Sequence, residues 1–255
     1  MSANSETRPN KMNVRSNFLF VPRHLNYILK DSLINFLSTN NIGVRKVGEE
    51  PLLDLVNLLY AVSKEEKEKH PRRADTYWVT DLVRCVLKRE YELKYPELVE
   101  KEIFTPVFIL GTLVHRGLQE LLKSIMGEGV STEVEGSREV VLPDGRKVVV
   151  EGRADIVVKI GDEMIGVEIK TARSDYELPK PQHVDQARIY NWLFNLNQTI
   201  LVYITPERVT QYLVSDKATE DEVISRITSR KIPRYDWECK YCSYSVMCPY
   251  KVPIK

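Results

Sequence analysis

Val148 to Lys170 reads VVVEGRADIVVKIGDEMIGVEIK, two β-branched runs divided by the turn signal Gly161-Asp162. The composition of each run favours a pleated, half-buried strand, and the Gly-Asp pair favours a tight connection. Strands are therefore expected at Val148–Ile160 and Met164–Lys170. A third, Glu139–Leu142, precedes them across Pro143-Asp144-Gly145, so the three make a meander. Working outward toward the C-terminus, Gln182–Leu196 returns to helical spacing, Thr199–Ile204 is a short apolar strand and Thr219–Ser229 a further helix. Toward the N-terminus the chain is mainly helical. The spacing predicts helices over Phe18–Leu37, Leu52–Val62, Asp75–Tyr95 (carrying Cys85) and Leu110–Met126, the last with Val114, Leu118, Leu121, Leu122 and Ile125 on one face. Lys64–Lys69 is a charge run of the kind found at solvated helix ends, and Pro71 breaks the pattern after it. Residues 1–16 have almost no apolar periodicity and read as a loose tail.

The chain has 255 residues, 43% hydrophobic and 29% charged, with 11 Gly and 4 Cys, which excludes fibrous, collagen-like and mostly disordered classes. The 37 Lys and Arg offset 36 Asp and Glu, so a nucleic-acid partner has to be recognised through a local basic patch. One such patch is Arg226–Lys255, with seven Lys or Arg against two acids. Tyr235, Trp237, Tyr241, Tyr244 and Tyr250 interleave with it; stacking on bases is open to them, and packing among themselves is the expectation for most. No apolar run approaches the roughly eighteen residues that cross a bilayer, and the polar N-terminus lacks the apolar stretch of a signal peptide, so no membrane association and a cytoplasmic location are expected. Four cysteines in such a chain suit ligation better than a disulfide framework.

Strand alternation puts Glu168 and Lys170 on one face, with Val167 and Ile169 facing the core. With Asp155 on the neighbouring strand, two hard oxygen ligands make a seat for Mg²⁺ or Mn²⁺. Lys170 would then orient water or offset charge on a phosphate. Taken alone, Glu-x-Lys is also an ordinary exposed strand face. His115, on a helix beside its apolar stripe, could reach the edge of the sheet, although a lone His is more often a core residue. Gln186 and Tyr190, four apart on a predicted helix, project from one face. The cysteines fall as Cys85, far upstream, then Cys239-x2-Cys242-x5-Cys248. Such a set would staple the C-terminal segment to the helical region around a metal centre. Structural zinc and an iron-sulfur cluster both accept four thiolates, and two disulfides or unrelated thiols are the plainer alternatives.

Together, His115, Gly152-x-x-Asp155, Glu168-x-Lys170 and Gln186-x-x-x-Tyr190, bracketed by Cys85 and Cys239, Cys242, Cys248, resemble the RecB-like nucleases of the PD-(D/E)xK superfamily. More narrowly, the chain is similar to the CRISPR-associated iron-sulfur exonucleases over about Tyr77 to Tyr250. The resemblance implies an α/β fold, a restriction-endonuclease-like core with a mixed central sheet flanked by helices. It implies that His115, Asp155, Glu168 and the backbone carbonyl of Ile169 hold Mn²⁺ or Mg²⁺, and that Asp155, Glu168 and Lys170 are catalytic. Gln186 and Tyr190 would contact substrate, and the four cysteines would hold a [4Fe-4S] cluster, with zinc the alternative. Ala154 stands where the superfamily has Pro, which changes no ligand. About seventy residues precede the matched region, longer than a compact member has.

The expected organisation is a tail over 1–16, a helical extension over 17–75, a nuclease core over 76–230 with Cys85 in its first helix, and a cysteine segment over 231–255. The expected function is a metal-dependent DNA exonuclease acting on single strands or frayed ends, trimming fragments for CRISPR spacer acquisition. A CRISPR integrase and further copies of the chain are the expected protein partners. The rivals are a repair, recombination or virus-encoded nuclease with the same site, a non-catalytic DNA-binding subunit with a structural cluster, and a zinc-binding adaptor.

Overall fold

The four runs expected as strands do form strands, and two further strands join them in one mixed sheet of six. The computed structural model describes residues 45–47, 50–52, 55–99 and 106–253. The helix expected over Phe18–Leu37 and the tail over 1–16 lie outside the described residues. The chain divides into two compact units, Met1–Leu58 and Leu59–Lys255. The first contains an antiparallel hairpin of β1 (Arg45–Val47) and β2 (Glu50–Leu52), followed by the start of α1 (Leu55–Glu68). The helix expected at Leu52 thus begins three residues later and takes in most of the Lys64–Lys69 charge run.

In the second unit β3 (Thr76–Trp78), β5 (Lys147–Ile160), β6 (Glu163–Thr171), β7 (Gln198–Ile204) and β8 (Val209–Val214) lie in that order, with β4 (Val130–Val141) along the other side of β5. β3 with β5 and β6 with β7 are parallel; the remaining pairs are antiparallel. The parallel β6–β7 pair needs a crossover, which α5 (Pro181–Leu193) provides. Pro181 opens that helix at a position where its missing N–H costs nothing. α6 (Glu220–Thr228) starts from a capping box, Thr219 accepting from the Glu222 N–H while the Glu222 carboxylate accepts from the Thr219 N–H. No helix among the described residues is long and apolar enough to cross a membrane.

The single helix expected over Asp75–Tyr95 is instead strand β3, a short turn of helix α2 (Val79–Leu82) and helix α3 (Val86–Lys94). Cys85 therefore caps α3 rather than sitting within a helix. Thr76, Tyr77 and Trp78 have β-favouring side chains and find a parallel partner in Val149–Glu151. Asp81 then fixes the bend: its buried carboxylate accepts from the Trp78 N–H at 3.0 Å and lies 3.4 Å from Arg72, with Arg84 also bound to it. Helical spacing of Val79, Leu82 and Val83 survives because all three are core residues, so periodicity alone ran through the break. β4 starts nine residues before the expected Glu139, its outward Ser, Glu and Arg masking a strand whose partners run from Val158 to Lys147. β8 gave no signal because it is an edge strand with Val209 and Leu213 exposed.

Helix α4 (Pro106–Met126) packs Val114, Leu118 and Leu122 on Val130, Ile156, Val158, Val167 and Ile169. On the other core, Ile189, Tyr190 and Leu193 of α5 meet Val150, Ala154 and Val157. That helix sits close because Gly136 and Gly152 face each other across β4 and β5. A Cβ on Gly152 would lie 2.7 Å from Leu193 Cδ2, 3.0 Å from Tyr190 Cε1 and 3.1 Å from Val79 Cγ2. Gly152→Val is thus an overpacking change, expected to destabilise by about 1–3 kcal/mol. Thermal unfolding would read this as a Tm lower by roughly 2–4 °C per kcal/mol; an unchanged Tm would contradict the packing described.

Candidate active site and cysteine cavity

Four elements converge on the carboxylates. Asp155 comes from β5, Glu168 and Lys170 from β6, His115 from α4, and Gln186 with Tyr190 from α5. His115 Nδ1 is 3.3 Å from Asp155 Oδ1, and the Ile169 N–H donates to Asp155 Oδ2 at 2.7 Å. Lys170 Nζ donates to Glu168 Oε1 at 2.7 Å and to Gln186 Oε1 at 2.9 Å. The Gln186 amide in turn donates to Glu168 Oε1 at 2.8 Å and to the Tyr190 hydroxyl at 3.1 Å, and that hydroxyl donates to the Arg153 carbonyl at 2.9 Å. All the residues expected at this site are thus brought together. Ile169 reaches Asp155 through its N–H; its side chain is buried in the core.

The electrostatics follow from burial and crowding. Glu168 is pushed up to about 7, first by burial and then by the Asp155 charge, against the pull of Lys170 and His115. His115 is raised: burial opposes its charged form, and the hydrogen bond and charge of Asp155 outweigh that. Tyr190 is raised by burial, so it keeps its proton. His183, one helical turn before Gln186, is held down to about 3 by burial and by Lys170 and Lys180, and it bonds the Tyr203 hydroxyl at 2.8 Å as a neutral imidazole. Glu168 Oε2 is buried without a hydrogen-bond partner. An orphaned carboxylate oxygen on a group that feels the charges of a second carboxylate, Asp155, and an imidazole, His115, belongs to a donor set that fits a hard divalent cation. Among the described residues no three His, Cys, Asp or Glu side chains are already gathered on one ion-sized point. Here Glu168 instead turns its other oxygen to Lys170 and Gln186.

All four cysteines are free and line one cavity of about 210 Å³, together with Tyr91, Trp237 and Tyr241. Turns start at three of the four cysteines: the Lys88 N–H bonds Cys85 O, Ser245 N–H bonds Cys242 O, and Lys251 N–H bonds Cys248 O. Cys239 lies in the short helix α7 (Glu238–Tyr241). Glu238 ties the distant segments together, one oxygen accepting from the Cys85 N–H at 2.8 Å and the other from the Tyr235 N–H at 2.9 Å. Burial pushes the Cys85 and Cys242 thiols up, against the pull of neighbouring backbone N–H groups and, at Cys242, of the Lys88 charge. Four sulfurs around a cavity fit a thiolate-bound centre.

Sequence reasoning missed Gln119, Glu133, Arg153, His183 and Glu238. Gln119 and His183 had a signal, since they stand four after His115 and three before Gln186 on the same helix faces. Arg153, two before Asp155, and Glu238, next to Cys239, adjoin site residues without a pattern of their own, and Glu133 is joined to the site only through folding.

No family model matches the sequence. The chain is 40% identical over 193 residues to the CRISPR-associated exonuclease Cas4 of Saccharolobus solfataricus strain P2, a match that covers 74% of this chain and 94% of that protein. Among solved structures, the crystal structure of SSO0001 is similar with a TM-score of 0.74 and 38% identity, over 78% of this chain and 98% of that one.

Proposed function

Because this chain belongs to the Cas4 family of CRISPR-associated exonucleases, we propose that it is a metal-dependent DNA exonuclease that trims single strands or frayed ends into fragments for CRISPR spacer acquisition. The observation that carries the metal-dependent reading is the partnerless, buried Glu168 Oε2 beside Asp155 and His115. His115, Asp155, Glu168 and the Ile169 carbonyl would hold Mn²⁺ or Mg²⁺. When bound, the ion supplies Lewis-acid stabilisation of a phosphate oxygen and a more acidic water.

The chain's own residues do the rest. Lys170 is fixed by two acceptors, Glu168 and Gln186, and an ammonium has three N–H donors. The remaining donor is free to meet attacking water or the charge growing on the phosphate. Gln186 and Tyr190 are buried and hydrogen-bonded internally, so they act on the substrate by holding Lys170 and by pinning α5 to the Arg153 carbonyl. The four cysteines, which line one cavity, would hold a [4Fe-4S] cluster, with zinc the alternative. Beside it Trp237, Tyr241 and Tyr250 are exposed at 48%, 66% and 58%, while Tyr244 is fully buried. The three exposed rings and the basic residues of that segment favour unpaired bases as partner. A CRISPR integrase as recipient of the trimmed ends, and self-association, belong to the same reading.

The test is cleavage of end-labelled single-stranded and blunt duplex DNA by anaerobically purified protein with Mn²⁺, Mg²⁺ or EDTA. Progressive shortening with either metal, faster on the single strand and absent in EDTA, is the expected result. Cutting in EDTA would sink the metal-dependent reading, and equal rates on blunt duplex would remove the preference for single strands.

A further inference from the structure

Glu133 carries a φ of 52°, in the left-handed region that side chains with a Cβ rarely adopt. It lies across from Asp155: the β4–β5 register runs from Thr132 opposite Ile156 to Val134 opposite Ala154, with these two residues between. At this point both strands exchange the core they face. Val130, Ile156 and Val158 pack against α4, whereas Val134 and Ala154 pack in the cluster that holds Ile189 and Leu193 of α5. A regular strand keeps residues two apart on one face, so the paired strands are turned over locally. Asp155 sits at the turnover, which is how its carboxylate reaches His115 from one helix while Glu168 opposite bonds Gln186 from the other.

The turnover is held by side chains outside the expected site. Gln119, 5% exposed, donates one amide to both the Glu133 carboxylate and the Asp155 carbonyl, the latter at 3.1 Å. Glu133 Oε2 pairs with Arg153 Nε at 2.9 Å, and Arg153 is the residue whose carbonyl receives Tyr190. His115 and Gln119, one turn apart on α4, thus grip the side chain and backbone of the same aspartate.

We propose that Gln119 and Glu133 are positioning residues for the catalytic centre, locking the β4–β5 turnover so that Asp155 and His115 meet in one geometry. The inference rests on the nuclease reading and deepens it. Residues that orient ligands in this way change metal affinity or activity by about 10–100-fold when removed.

The test compares Gln119→Leu, Glu133→Gly and Glu133→Gln with wild type. Gln119→Leu keeps bulk and loses both hydrogen bonds; Glu133→Gly keeps the positive φ and loses the carboxylate; Glu133→Gln keeps an acceptor for Gln119. Three quantities are read: kcat and KM on single-stranded DNA, the Mn²⁺ Kd from the free-ion electron paramagnetic resonance signal, and the Tm. The first two variants are expected to lower kcat and weaken Mn²⁺ binding by about 10–100-fold with KM unchanged, and Glu133→Gln, which keeps the Gln119 contact and loses the charge facing Arg153, to fall between them and wild type. Wild-type kcat and Mn²⁺ Kd in folded Gln119→Leu and Glu133→Gly would overturn the proposal, as would a loss in Glu133→Gln equal to that in Glu133→Gly. Should Gln119→Leu fail to fold, the two Glu133 variants decide. A wild type that binds Mn²⁺ but cuts nothing would count against the nuclease reading alone, and the Mn²⁺ titration would still judge this one.

Discussion

Asp155→Ala and Lys170→Ala are expected to lose metal-dependent cleavage by at least about 10²–10³-fold while remaining folded. Asp155 is bonded both to His115 and to the Ile169 N–H next to Glu168, so its loss opens the centre on two sides. Among the described residues Lys170 is the one cation bonded to Glu168, and alanine there leaves a buried carboxylate without its neutralising partner. End-labelled DNA and the Tm, measured on the same preparations, separate chemistry from folding. A folded Asp155→Ala that cuts at the wild-type rate would end the assignment of this site.

Glu168→Gln has the same activity prediction with an opposite stability prediction. Its carboxyl has an ordinary value of 4.5 and is held near 7 in the fold, so the folded chain keeps this proton more tightly than the unfolded one. Below pH 4.5 both states are protonated and the carboxyl is tolerated; the cost of ionising it in the core grows between pH 4.5 and 7 and is complete above that. In EDTA at pH 8, Glu168→Gln should therefore be more stable than wild type by roughly 1–3 kcal/mol, the scale on which a carboxyl held near 7 rather than 4.5 is penalised once it ionises. At pH 4 the gain should vanish. A variant less stable than wild type at pH 8 in EDTA would mean that the carboxylate is well satisfied without a cation. Wild type would then lack the motive for metal binding that its orphaned oxygen supplies.

What could be read from the sequence, and what could not, divides by how local the cause is. The strands bearing Asp155 and Glu168, and the helices bearing His115 and Gln186, announce themselves through side-chain periods of two or nearly four, and their joint order carried the family resemblance. β3 did not, because Thr76–Trp78 becomes a strand only when Val149–Glu151 is there to pair with it. The bend at Val83–Cys85 was hidden for a similar reason: beside Arg84 three residues on, buried Asp81 gathers Arg72 through space, a contact no spacing rule encodes. Within the site, Gln119 shares the helix face of His115 and was within reach of the same rule. Glu133 was not. Its role depends on a strand crossing over opposite Asp155, and an acidic residue in a run of alternating Glu and Ser looks like any solvated edge.

Cys239→Ala is expected to yield protein without bound iron or acid-labile sulfide and with a stability loss above about 4 kcal/mol, the range reserved for lost structural centres and comparable defects. The argument is one of connectivity. Cys85 lies between β3 and α3 and the other three cysteines lie past residue 238, so a shared centre closes a very long loop and its binding energy becomes folding energy. Without it, the segment after α6 is tied back through side chains such as Glu238 on the Cys85 N–H and Tyr235 on Asp185, at 2.8 and 3.2 Å. Asp185 stands next to Gln186 on α5, so loosening this segment also relaxes the helix that holds Lys170, and cleavage should fall in step with the lost cluster. Cys239→Ser should behave the same way, since the alcohol does not supply a thiolate. Iron and sulfide analysis, limited proteolysis at the C-terminal segment and thermal unfolding check this together. Equimolar zinc with no sulfide in wild type would replace the cluster by a zinc centre while leaving the stability prediction in force. A Cys239→Ala protein with full iron, or with an unchanged Tm, would mean that the four thiols around the cavity do not act as one centre.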